Sequence, residues 1–169
     1  SIVHQQLEGF GGAACYDTEA LTNHSNKEEV YDLLFRDLGL DILRIKNTYG
    51  ISSYELNATG QIVAAARQPT RNPNLKTELV PWSPPTNLKD TNALGTPYIN
   101  GTLKKNSSDS NNSAPYYYVY KAYANWWLNS LTGSGGWNSV GIYPDYISIQ
   151  NEPDWGTQDQ ECRFDPTEN

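Results

Sequence analysis

Apolar and polar positions follow two rhythms along this chain. Leu40-Asp41-Ile42-Leu43-Arg44-Ile45 alternates as a strand, with Ile42 and Arg44 on one face and Leu43 and Ile45 on the other. Leu79-Val80-Pro81-Trp82 reads as another strand, closed by the proline-fixed turn Ser83-Pro84-Pro85. Tyr146-Ile147-Ser148-Ile149-Gln150 reads as a short buried strand that ends in the polar pair Asn151-Glu152 and is stopped by Pro153. Near the start, an extended segment from Ser1 to Leu7 runs into Gly9-Phe10-Gly11-Gly12-Ala13-Ala14, a strand end where glycines let backbone crowd a ligand pocket.

Helical spacing appears twice. Asn26 with Glu29 three residues on has the spacing of a capping box. Val30, Leu33, Leu34 and Leu38 then share one face, and Gly39 is a C-terminal stop. Tyr120, Tyr123, Ala124, Trp127 and Leu131 line one face of a helix over 117–131, ended by Gly133-Ser134-Gly135-Gly136. The stretch 47–77 reads as a polar loop with a weak helix near 62–67, and 90–113 as an Asn- and Ser-rich surface excursion. The order strand, helix, strand, long loop, strand, helix, strand predicts a parallel α/β sheet.

Composition narrows the function. The chain has 169 residues, 5 Trp and 12 Tyr, with only 18% charged residues. An aromatic, polar and weakly charged surface suits carbohydrate, whose rings stack on aromatic faces. A net charge of -7 argues against nucleic acid or an anionic membrane as partner. No apolar run is long enough to span a bilayer. The chain opens on Ser1 and contains no Met, as expected of a processed chain whose leader has been removed. Sequons at Asn23, Asn57, Asn100, Asn106 and Asn111 predict a secreted glycoprotein. In that setting the two cysteines, Cys15 and Cys162, could form a disulfide, remain free, or pair outside the chain.

The strand ends carry the candidate chemistry. Gly9-x-Gly11-x-x-Ala14 matches a dinucleotide fingerprint in form, but no helix opens inside it and the next strand runs into Lys46-Asn47 without an acidic residue. Arg44 lies inside an apolar strand and needs a carboxylate partner, either as a structural ion pair or as part of a site. Trp82 could floor a sugar subsite or cap the core. Glu152 can work as general acid and then base, beside an amide able to bond a sugar hydroxyl. A glutamate after a strand is ordinarily a solvated turn residue. Four strand ends converging on one face, as in a barrel enzyme, give this one a different reading.

Gly9-Phe10-Gly11-Gly12, Leu43-Arg44-Ile45, Pro81-Trp82-Ser83-Pro84-Pro85 and Ile147-Ser148-Ile149-Gln150-Asn151-Glu152-Pro153-Asp154 resemble the successive strand ends of glycoside hydrolase family 30. Cys162-Arg163-Phe164-Asp165-Pro166-Thr167-Glu168 resembles the segment after the fourth strand in its xylan-cleaving branch. The resemblance implies the N-terminal half, about four strands, of a (β/α)8 TIM barrel. A missing or separate C-terminal half carrying a β-sandwich would complete it, with residues 1–7 able to join that side β-domain.

By the same resemblance, Glu152 would be the acid/base of a retaining, metal-free and cofactor-free β-1,4-xylanase. Asn151 would bond the sugar 2-hydroxyl, Trp82 would line the central subsite and Arg44 would orient the nucleophile. Trp155 and Asp154 would shape the neighbouring loop, while Gly11 and Gly12 belong to the substrate-binding strand ends. The family takes its nucleophile from the seventh strand, so it would come from outside this chain, from a second polypeptide or from the rest of a truncated one; neither Glu8 nor Asp41 fills the role. β-1,6-Glucanase or glucosylceramidase specificity is the alternative within the family. A non-catalytic carbohydrate-binding fragment is the alternative outside it.

Overall fold

The computed structural model describes residues 6–95, 101–105, 118–153 and 160–164. Four strands, β1 (Gly11–Ala14), β2 (Ile42–Asn47), β3 (Lys76–Pro81) and β4 (Tyr146–Ile147), form one parallel sheet in the order β1-β2-β3-β4. Among the described residues, four α-helices separate them: α1 (Thr18–Asn23), α2 (Lys27–Asp32), α3 (Ser53–Ala66) and α4 (Tyr120–Thr132). A doubly wound sheet reverses its strand order at a switch point; unreversed order with intervening helices is the progression of a barrel.

Strand alternation divides the molecule into two layers. Leu43 and Ile45 of β2 and Leu79 of β3 pack into a core with Tyr31, Phe35, Leu56, Ile62 and Trp127. The opposite face carries Arg44 and Lys46, and a small cluster of Cys15, Val80 and Trp82 lies on that side. Register pairs Arg44 with Glu78 and Ala13 with Arg44, so one inner row crosses three strands.

The helix after Asn26 differs from the expected pattern. Asn26 precedes α2 but makes no side-chain cap; its Oδ1 accepts from Ser25 Oγ at 3.1 Å instead. The helix then widens into a π turn over Leu33–Asp37, with Leu38 N donating to Leu33 O at 2.8 Å. Tyr31 and Phe35, four residues apart, are buried, while Leu33 and Leu38 are exposed. Gly39 ends the run at φ 69°, the left-handed stop anticipated for it.

The stretch expected to be mostly loop contains a full helix, α3. Ser52 caps it by accepting from Glu55 N at 3.1 Å. Its buried side mixes Leu56, Ile62 and Val63 with the small residues Ala58, Thr59, Gly60 and Ala66, which dilute the apolar stripe. A Cβ at Gly60 would lie 2.8 Å from Val140 Cβ, which shows how closely the backbone approaches its neighbour. α1 was also not foreseen; it is six residues with no side-chain cap.

β4 departs most from its expectation as a regular buried strand. Asp145 N, Ser148 N and Asn151 N donate to Thr77 O, Leu79 O and Pro81 O, three residues of advance for every two on β3. Such steps are bulges, and they break the regular alternation. Ile147 and Ile149, on the edge strand of the sheet, are 59% and 68% exposed. Tyr123 of α4 holds the irregular stretch by donating from its hydroxyl to Ile149 O at 2.7 Å.

Asn47 ends β2 and ties the sheet to the α4 region. Trp137 Nε1, fully buried, donates to Asn47 Oδ1 at 3.0 Å, and Asn47 Nδ2 donates to Ser130 Oγ at 3.1 Å. Asn47→Ala leaves the indole N–H without its acceptor. The expected loss is about 1–3 kcal/mol, read as a lower urea midpoint with an unchanged m value.

Candidate active site

At the C-terminal end of the sheet, three side chains meet on the inner face. Arg44 reaches from β2 so that its Nη2 donates to Asn151 Oδ1 at 2.5 Å. Its guanidinium carbon lies 4.8 Å from the centre of the Trp82 ring. Asn151 Nδ2 donates to Glu152 Oε2 at 3.1 Å, which makes one chain of contacts from guanidinium through amide to carboxylate. Glu152 is exposed and holds φ 46°, a left-handed conformation that costs a non-glycine residue free energy and recurs at functional sites.

The expected carboxylate partner of Arg44 does not appear among the described residues; a neutral amide and an indole face take its place. Glu78 stands opposite Arg44 in the register but accepts from Ser148 Oγ at 2.6 Å. Asp41 and Glu8 lie at the other end of the sheet. Asp41 Oδ2 accepts from Phe10 N at 3.1 Å, and Glu8 pairs with Lys76 at 3.0 Å.

Two residues join the site that the sequence reading passed over. Lys46 Nζ lies 4.5 Å from the Tyr16 ring centre and 5.5 Å from that of Trp82. Tyr16 meets Trp82 edge-on at 6.4 Å. Lys46 was available from alternation, since it lies two residues beyond Arg44 on the same face. Tyr16 has no comparable local signal.

Other expected site residues fall elsewhere. Gly11 and Gly12 open β1 instead of closing it, in register with Ile42 and Leu43 at the start of β2. A Cβ at Gly11 would lie 2.7 Å from Ile42 O, so close sheet contact explains this glycine. Trp155 and Asp154 lie outside the described residues, as do Asn100, Asn106 and Asn111. Asn23 is exposed and its Nδ2 donates to the Tyr54 hydroxyl at 2.5 Å. Asn57 is exposed on α3, but Thr59 of its sequon is buried and donates to Glu55 O at 2.9 Å.

Cys15 and Cys162 are free thiols, not a disulfide. They belong to different layers: Cys15 to the inner cluster with Val80 and Trp82, Cys162 to the helix-side core. Burial raises the Cys15 thiol pKa, against the pull of Arg44 and Lys46, and pushes Cys162 up to about 12. No group of three or more His, Cys, Asp or Glu side chains among the described residues could hold a metal ion.

No family model matches this chain, and no curated protein does. Solved structures do. SrfJ from Salmonella typhimurium superposes with a TM-score of 0.71 at 22% identity, over 97% of this chain and 38% of its own. The catalytic domain of GH30 xylanase C from Talaromyces cellulolyticus gives 0.69 at 19% identity, over 95% of this chain and 40% of its own. A family 30 subfamily 8 xylanase from Clostridium acetobutylicum gives 0.62 at 22% identity, over 95% and 36%. The chain has the fold of the N-terminal half of a family 30 barrel. It spans about two-fifths of the length of those structures.

The half-barrel therefore places Glu152, Asn151, Arg44 and Trp82 together at the barrel end where such folds keep their active groups. Alkylation of the denatured, unreduced protein should label both Cys15 and Cys162. In the native protein at pH 7 both should resist labelling. Trp82→Ala, which uncovers Cys15, should raise its labelling rate about tenfold or more and leave Cys162 unchanged, as read by peptide mass mapping.

Proposed function

We propose that this half-barrel is part of a retaining glycoside hydrolase acting on β-1,4-xylan, secreted and completed by a C-terminal half that supplies the nucleophile. The observation that carries this reading is the contact chain from Arg44 through Asn151 to Glu152 beside the Trp82 ring. An aromatic face, an amide and an exposed carboxyl at one barrel end suit a sugar ring, its hydroxyl and its glycosidic oxygen.

In the first step, a carboxylate from the completing half attacks the anomeric carbon, while protonated Glu152 gives its proton to the departing oxygen. A glycosyl ester forms and the glycosidic bond breaks. In the second step, Glu152, now a carboxylate, takes a proton from water, which attacks the same carbon and releases the nucleophile. Asn151 Nδ2 has two hydrogens, one bonded to Glu152, so the second is free for the sugar 2-hydroxyl. Arg44 fixes the amide's orientation through Oδ1.

Glu152→Gln should lower kcat on xylan by about 10²–10⁴-fold, the usual contribution of a general acid/base. Parallel assays on glucuronoxylan, unsubstituted xylan and β-1,6-glucan decide the specificity. Binding of xylan without hydrolysis by either form would instead favour a carbohydrate-binding fragment. Denaturing mass spectrometry of the reduced, isolated protein should reveal a second polypeptide, because open sheet edges otherwise invite association. A stable monomer of 18.9 kDa in sedimentation would overturn that part of the proposal.

A further inference from the structure

Gln150 has no place in the mechanism above, yet its side chain joins both halves of the site. Its Nε2 donates to Trp82 O at 2.7 Å and to Asn151 O at 3.0 Å. The residue is only 9% exposed. The bulges of β4 make this link necessary. Among the described residues, the last backbone bond between the two strands runs from Asn151 N to Pro81 O at 2.8 Å. Beyond it stands Pro153, which has no N–H to offer. The Gln150 amide thus takes over where the ladder stops, and it is placed opposite Trp82 by the bulged register.

The orientation of this amide is determined by its neighbours. Two carbonyl oxygens face Nε2, while Oε1 is buried without a partner among the described residues. Reversing the amide would set oxygen against both carbonyls. The donor is therefore essential, and a shape-matched apolar side chain cannot replace it.

We infer that Gln150 is a positioning residue for hydrolysis: it sets the separation between the Trp82 platform and the Asn151-Glu152 pair. This rests on the proposed hydrolase reading. A platform that still holds the sugar while the acid sits displaced by about 1 Å loses turnover more than affinity, by about 100-fold. The inference also predicts a pH signature. A glutamate at this position can donate one hydrogen bond when protonated, but when ionised it repels both carbonyls.

The test compares wild type, Gln150→Met, Gln150→Glu and Glu152→Gln in the completed enzyme, measuring kcat and KM on xylan across pH. Gln150→Met should lose about 100-fold in kcat with little change in KM. The activity of Gln150→Glu relative to wild type should rise as pH falls through a range above the ordinary glutamate value of roughly 4.3, because burial against two carbonyls favours the protonated carboxyl. If Gln150→Met does not fold, the pH dependence of Gln150→Glu carries the test alone. Wild-type kcat in Gln150→Met, or a Gln150→Glu ratio that is flat with pH, overturns the positioning role and leaves the hydrolase reading standing. Full activity in Glu152→Gln overturns the acid/base role of Glu152 and this inference with it, whereas no hydrolysis of xylan by wild type overturns the hydrolase reading.

Discussion

The in-register pairing of β2 with β3 is the constraint on which the rest depends. Six consecutive positions pair, from Ile42 with Lys76 to Asn47 with Pro81. Because side chains alternate, one ladder serves two chemistries. Leu43, Ile45 and Leu79 enter the helix-side core, while Arg44 and Lys46 stand on the inner face with Trp82 just beyond. A slip of one residue would send Arg44 into the apolar core and Leu43 into the site. The buried face therefore enforces the geometry of the polar one.

Irregularity is concentrated where the chemistry is. β2 and β3 pair regularly through six residues, whereas β4 keeps only two in regular pairing and then bulges. The bulges bring Asn151 within reach of Arg44 and leave Glu152 exposed in a left-handed turn. Side-chain bonds from Tyr123 and Gln150 replace the missing ladder. A regular strand would satisfy its backbone without help; one bent to aim a carboxylate needs such supports.

Much of this was legible along the chain. Alternation in β2 placed Arg44 opposite Leu43, Trp82 followed β3 as its motif suggested, and Gly39 closed its helix. Less legible was α3, where Ala58, Thr59, Gly60 and Ala66 interrupt the apolar positions Leu56, Ile62 and Val63 on the buried side. The π turn after α2 was equally hidden, since a phase shift of one residue leaves the composition unchanged. Gly11 and Gly12 looked like a ligand-facing strand end because glycine marks close approach of any kind; here the group approached is the backbone of β2.

The sequence by itself determined which residues could serve a sugar site and which strands would carry them, because motifs and alternation are local properties. It did not determine who bonds to whom. Asn151 is separated from Arg44 by 107 residues, and Gln150 from Trp82 by 68. Pairings of that span depend on where a bulge falls and how a helix leans, and these are settled by packing across the whole half-barrel. The same packing keeps Cys15 and Cys162 in separate layers, a choice that cysteine spacing leaves open.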